Sequence, residues 1–148
     1  MTGSIEKALQ DKLLLDMLDL VEQSVRCKIE IETITNAGQL LLAKSRFIDG
    51  TQSVTGSKLP TENSAQFNAL KTVNQSTNLE PNFELNEQKV DKEHGFIDPI
   101  RWFGVLVPRS LQLARDRFNR AIEITVECAN IQLKLDHCIR NILLLRNK

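Results

Sequence analysis

The sequence predicts an all-α fold: a long antiparallel two-helix coiled-coil hairpin with a disordered or loop connector. Three observations predict it: a 4-3 apolar repeat through residues 13–48, a second helical pattern from Leu111, and an aromatic content of only 5%. Seams between long helices are built from aliphatic side chains, whereas compact globular cores depend more on aromatic rings. The chain divides into segments 1–50, 51–98 and 99–148, which together form one domain.

The first segment is predicted to form one long helix over residues 5–48. Eight of the eleven positions in its 4-3 repeat are apolar, and a heptad of that length is typical of coiled coils. Gly38 lies within the repeat, where glycine costs about 1 kcal/mol relative to alanine. Either close packing against a facing helix or a hinge would explain it. The repeat comprises Leu13, Met17, Leu20, Ser24, Cys27, Ile31, Ile34, Gly38, Leu41, Ser45 and Ile48.

A second apolar line, here called the outer stripe, flanks the repeat in the first half of this helix. It comprises Leu14, Leu18, Val21 and Val25. A two-stranded seam needs only one apolar line, so a second line widens the apolar face of the helix. The outer stripe therefore predicts contact with a third helix or with a binding partner.

Residues 51–98 are predicted to form a polar, flexible connector. Of these 48 residues, 19 are Ser, Thr, Asn or Gln, and the apolar residues are sparse and aperiodic. Such a segment buries too little apolar surface to offset the entropy lost on ordering. A loop or a disordered segment is expected.

A second long helix is predicted to begin at Leu111 and to pair with the first. The first segment carries a net charge of −2 and the third a net charge of +5, and this opposition favours pairing. Because the two helices are of similar length, an end-to-end alignment is expected. That register places Gly38 near Ala121 and Leu13 near Arg146.

Residues 98–108 read D-P-I-R-W-F-G-V-L-V-P, and we call this segment the strap. Asp98 is predicted to cap a short helical turn that Gly104 ends, and the residues before Pro108 should be extended. Five of the six residues at 102–107 are apolar. The strap either covers the end of the hairpin or docks into a partner. The predicted partner-binding residues are the outer stripe together with Trp102, Phe103, Val105, Leu106 and Val107.

The residues point away from an enzyme and from nucleic-acid binding. The 19 basic and 19 acidic side chains balance, and no catalytic motif, metal-ligand spacing or cofactor motif occurs. Cys27 and His137 are expected to form a structural pair rather than a nucleophilic one. No apolar run approaches the roughly 20 residues that span a bilayer, and no secretory signal is present. A soluble chain that reaches membranes only through partners is expected.

Two motif blocks resemble the coiled-coil domain-containing protein 115 family, the animal counterpart of a fungal vacuolar proton-ATPase assembly protein. One is D-P-I-R-W-F-G-V-L-V-P-R-S-L at residues 98–111. The other is G-Q-L-L-L-A-K-S-R-F at residues 38–47, continuing through Gly50, Ser53 and Val54. The helical layout matches over the rest of the chain, but the connector shows no resemblance.

The resemblance implies an assembly chaperone without catalytic activity or cofactors. Its implied partners are a small membrane-protein assembly co-factor and the large membrane-sector subunit of the vacuolar ATPase. Its implied locations are the cytosolic face of the endoplasmic reticulum, the endoplasmic reticulum–Golgi intermediate compartment, and endosomes or lysosomes. The alternative that the residues leave open is a generic coiled-coil tether or adaptor in membrane traffic.

Overall fold

The computed structural model describes residues 2–77 and 80–146, with side-chain burial given from residue 4 onward. Two long helices, α1 and α2, pack against each other, and a two-stranded sheet packs on α2. Within the described residues, neither helix is long and apolar enough to cross a membrane. The elements in chain order are α1 Thr2–Asp49, a 3-10 turn Gly56–Lys58, β1 Lys71–Ser76, β2 Asn82–Glu87, a 3-10 turn Pro99–Phe103 and α2 Arg109–Arg146.

The 4-3 repeat of α1 faces α2. Every position of the repeat is buried or half-buried except Ile48, which is 61% exposed. Within the repeat, the small residues Ser24, Gly38 and Ser45 are the most deeply buried. Gly50, with a φ of 88°, ends the helix as predicted. The buried residues of α2 are Ser110, Leu111, Ala114, Ala121, Ile124, Leu135 and Cys138.

The two helices are antiparallel, but the end-to-end register is wrong. Gly38 lies beside the ring of Phe118 rather than beside Ala121. The Cys138 thiol donates to the carbonyl of Leu13 at 3.4 Å, where the end-to-end alignment placed Arg146. Packing decides the register, since the glycine is the position at which a ring can approach the α1 backbone. This contact also favours close packing over a hinge as the reason for the glycine.

The all-α class is wrong, because the connector contains a β-hairpin. Strands β1 and β2 pair antiparallel, with Val73 opposite Leu85 and Lys71 opposite Glu87. The Lys71 ammonium and the Glu87 carboxylate lie 3.1 Å apart across the sheet. The strands carry few apolar residues, so their composition did not signal a sheet. The paired backbones satisfy each other's hydrogen bonds, which a polar sequence permits as readily as an apolar one.

Asn130 on α2 makes two hydrogen bonds to the β-hairpin. The Asn130 amide oxygen accepts from the Phe83 N–H at 2.7 Å, and the Asn130 amide nitrogen donates to the Phe83 carbonyl at 2.9 Å. We call this pair of hydrogen bonds the Asn130 fork. Through it, the Asn130 side chain pairs with the Phe83 backbone in the way that a neighbouring strand would. The side chains of Phe83 and Leu85 are half-buried. The connector is therefore bound to α2 by both polar and apolar contacts.

Candidate partner-binding surface

The strap begins in a short turn that is fixed to α2. One carboxylate oxygen of Asp98 accepts from the Ile100 N–H at 3.1 Å, and the other lies 2.8 Å from the Arg115 guanidinium. Pro99 opens the turn, and Gly104, with a φ of 137°, ends it. Ile100 is buried and anchors the turn from below. The predicted cap, turn and glycine stop are confirmed.

Trp102 and Phe103 are half-buried against the connector. The rings of Trp102 and Phe67 meet edge to face, with centroids 5.0 Å apart. Phe103 lines a groove of about 670 Å³ between the connector and the two helices. Two ion pairs line the groove, one between Lys71 and Glu87 and the other between Asp98 and Arg115. The two rings are therefore partly covered by the chain itself.

The next residues of the strap point away from the protein. Val105 is 83% exposed and Leu106 is 96% exposed, whereas Val107 is half-buried. The five predicted strap residues thus divide into three that the chain partly covers and two that it leaves open. Val105 and Leu106 are adjacent, so together they form a small exposed apolar patch.

The outer stripe of α1 remains exposed along its full length. Its four side chains, Leu14, Leu18, Val21 and Val25, are 41–58% exposed. Each helical residue is rotated by 100° from its predecessor, so Leu14 lies about a quarter turn from the seam residue Leu13. The stripe therefore borders the α1–α2 seam without belonging to it.

The structure separates the two predicted surfaces. The strap adjoins the C-terminal end of α1, where the Ser45 and Ser110 hydroxyls are 2.7 Å apart. Leu18 lies 27 positions earlier on the same helix, which corresponds to roughly 40 Å at 1.5 Å per residue. The chain therefore offers two distant apolar surfaces rather than one continuous surface.

Sequence reasoning missed the exposure of two residues at the C-terminal end of α1, one of which, Ile48, it assigned to the seam. Phe47 is 89% exposed and Ile48 is 61% exposed, both in the last turn of α1. The available signal was that Phe47 falls two positions after the seam residue Ser45, and so faces away from α2. The groove at Phe67 and the fork made by Asn130 were also missed, because both depend on a connector predicted to be unstructured.

The environment of Cys27 does not activate its thiol as a nucleophile. Burial is the main cause that raises the pKa of the Cys27 thiol, and Cys128, Glu127 and Glu30 raise it further. A raised pKa keeps the thiol protonated and poorly nucleophilic. The expected pairing of Cys27 with His137 is wrong, because the actual register brings Cys128 beside it instead. Among the described residues, no group of His, Cys, Asp and Glu side chains is placed to hold a metal ion.

Comparison with known proteins gives short matches to one kind of protein. No family model matches the chain. It is 38% identical over 39 residues to the human vacuolar ATPase assembly protein VMA22, which covers 26% of this chain and 22% of that protein. It is 43% identical over 35 residues to the zebrafish (Danio rerio) protein of the same name, covering 24% of this chain and 17% of that protein.

The matched stretches span about a fifth of the length of these curated relatives. VMA22 proteins are the coiled-coil domain-containing protein 115 family. The resemblance to that family is thus confirmed as a partial similarity.

Proposed function

We propose that this chain is a non-catalytic assembly chaperone for the membrane sector of the vacuolar proton-transporting ATPase. It binds a small membrane-protein co-factor and the large membrane-sector subunit, and so supports organelle acidification. It acts on the cytosolic face of the endoplasmic reticulum, in the endoplasmic reticulum–Golgi intermediate compartment, and at endosomes or lysosomes. The partial similarity to proteins named as vacuolar ATPase assembly proteins supports this proposal.

The uncovered outer stripe is the observation that carries a binding role. Its four aliphatic side chains follow 4-3-4 spacing on a helix whose seam with α2 is already filled. A stripe of that spacing is the surface that a partner helix or an amphipathic segment packs against. Covering an aliphatic side chain that is half-exposed contributes about 1 kcal/mol, so the stripe supplies a few kcal/mol in total.

The strap adds a second contact of different character. Trp102 and Phe103 are held half-exposed by the connector, and Val105 and Leu106 are open. Large apolar side chains that are already positioned lose little entropy on binding, which makes them effective anchors. An elongated chaperone with two separate contacts can hold two components of an assembling complex at once.

The test is a pull-down of tagged chain from detergent-solubilised membranes. The variant Leu18→Gln, Val21→Gln replaces two stripe residues with a polar residue that still favours a helix. Leu40→Gln is the matched control, because Leu40 is on the same helix, is 72% exposed and lies outside the stripe. We expect wild type and the control to recover pump membrane subunits and a small membrane protein. The stripe variant should lose them while its circular dichroism is unchanged.

Other outcomes would separate this proposal from a tether. Recovery of only the chain itself, or of unrelated membrane-traffic proteins, would favour the generic tether or adaptor. Equal recovery by the stripe variant and the control would show that the stripe is not the binding surface. Organelle pH in cells that depend on the chain provides a second readout, because an assembly factor that cannot bind should leave the organelle poorly acidified.

A further inference from the structure

One end of the hairpin brings together two stretches of the chain that are far apart in sequence. We call this end the tip and define it as residues 44–59 and 98–109. The Ser45–Ser110 contact at 2.7 Å joins the last turns of α1 to the start of α2. The Lys58 ammonium donates to the Phe103 carbonyl at 3.5 Å, which places the first 3-10 turn beside the strap.

The most exposed apolar side chains of the described residues lie at this tip. Leu106, Phe47 and Val105 are 96%, 89% and 83% exposed, and the next large apolar residue, Leu40, is 72% exposed. None of the three is required by the seam between α1 and α2.

The tip also carries a net positive charge. It holds five cationic side chains and two carboxylates, a net charge of +3 in a chain whose total is zero. Asp98, one of the two carboxylates, is already paired with Arg115. The five cations are exposed, and none takes part in an ion pair within the described residues. They are Lys44, Arg46, Lys58, Arg101 and Arg109.

We propose that the tip binds directly to an anionic phospholipid surface and inserts Phe47, Val105 and Leu106 at the headgroup–acyl boundary. This goes beyond the proposed function, in which partners alone bring the chain to a membrane. A surface that combines apolar side chains with Lys and Arg suits this boundary. The alkyl stems of the basic side chains lie in the apolar layer beside the inserted residues, while their charged ends stay among the headgroups. The unpaired cations select anionic lipid over neutral lipid.

This attachment is compatible with a partner on the outer stripe. Leu18 and Phe47 are 29 positions apart on α1, roughly 45 Å at 1.5 Å per residue. A hairpin standing on its tip would hold the stripe well outside the bilayer. The stripe would then meet segments of a membrane protein that project into the aqueous phase.

The test is co-sedimentation of the full chain with phosphatidylcholine vesicles that contain or lack phosphatidylserine. We expect binding only to the anionic vesicles, with affinity falling as salt is raised. Val105→Ser, Leu106→Ser should lower that affinity by about tenfold or more, because two exposed aliphatic side chains no longer enter the boundary. Lys44→Gln, Arg46→Gln should lower it by about fivefold per cation removed. The stripe variant Leu18→Gln, Val21→Gln is the matched control and should bind vesicles like wild type.

Three results would overturn the proposal: no binding to anionic vesicles, equal binding to both vesicle types, or wild-type binding by the Val105→Ser, Leu106→Ser variant. If the wild type does not bind vesicles and the Val105→Ser, Leu106→Ser variant fails to recover pump subunits in the pull-down, the tip is a protein-binding site. The lipid proposal then fails and the assembly function stands. Vesicle binding with no recovery of pump subunits would leave lipid binding standing and contradict the assembly function, so the two proposals fail separately.

Discussion

Replacing Gly38 by alanine sets two opposing effects against each other in the middle of α1. Alanine is the better helix former by about 1 kcal/mol, so an exposed glycine replaced in this way would stabilise the protein. Gly38 is not exposed, however. A Cβ built on it lies 2.8, 3.0 and 3.1 Å from three carbon atoms of the Phe118 ring. Favourable carbon–carbon contacts are about 3.5–4.0 Å, so the ring must move by about half an ångström or more.

The size of the clash decides the sign of the effect. Inserting a methyl group into a packed interface costs about 1–3 kcal/mol. Three ring atoms are too close at once, and the ring lies between two packed helices, so we place the cost in the upper half of that range. After subtracting the helical gain, Gly38→Ala should destabilise the protein by about 1–2 kcal/mol.

The assay is urea unfolding followed by circular dichroism, with the slope of the transition checked for constancy. Ala43→Gly calibrates the helical term, because Ala43 lies on the exposed face of the same helix and should cost about 1 kcal/mol. Phe118→Leu should be less harmful in the Gly38→Ala background than in wild type, since it removes the obstructing ring. A stabilising Gly38→Ala, or additive effects of the two substitutions, would refute the packing argument.

Three further predictions concern stability and partner capture, and one concerns reactivity. The Ser45 hydroxyl donates to a carbonyl on its own helix and accepts from Ser110. Ser45→Ala should therefore lower the free energy of unfolding by about 1–3 kcal/mol, and Ser110→Ala should lower it by less. Urea unfolding measures both. Asn130→Ala removes both bonds to β2, so protease should cut the connector faster while the helix signal stays. Trp102→Ala should also leave helicity nearly intact and weaken partner capture in the pull-down. Because burial raises its pKa, the Cys27 thiol should alkylate at higher pH in the native chain than in urea.

Each of these predictions has an outcome that would contradict it. Equal losses from the two serine variants would mean that the hydroxyl protons are arranged differently. An unchanged cleavage rate in Asn130→Ala would mean that the β-hairpin holds to α2 by its apolar contacts. Loss of helicity in Trp102→Ala would show that its ring supports the helix pair. A native Cys27 alkylation profile at the same or lower pH than in urea would show that burial does not control this thiol.

The backbone turn of the strap could be predicted from local sequence, whereas the exposure of its side chains could not. Asp98, Pro99 and Gly104 encode a capped turn and its stop, because each acts on backbone within a few residues of itself. The same sequence could not say which apolar side chains the rest of the chain covers. That depends on Phe67, which contacts Trp102 from 35 positions away. The exposure of Leu106 and the partial burial of Trp102 are therefore tertiary facts.

The sequence by itself determined the two long helices, the seam of α1 and the turn of the strap, since helical periodicity and caps are set by residues three or four positions apart. Only the tertiary structure decided the register, the β-hairpin and the tip. The register followed from where Phe118 meets Gly38, and the hairpin from backbone pairing and from the Asn130 fork. The Asn130–Phe83 and Phe118–Gly38 contacts join residues 47 and 80 positions apart, and no local pattern specifies such a pair.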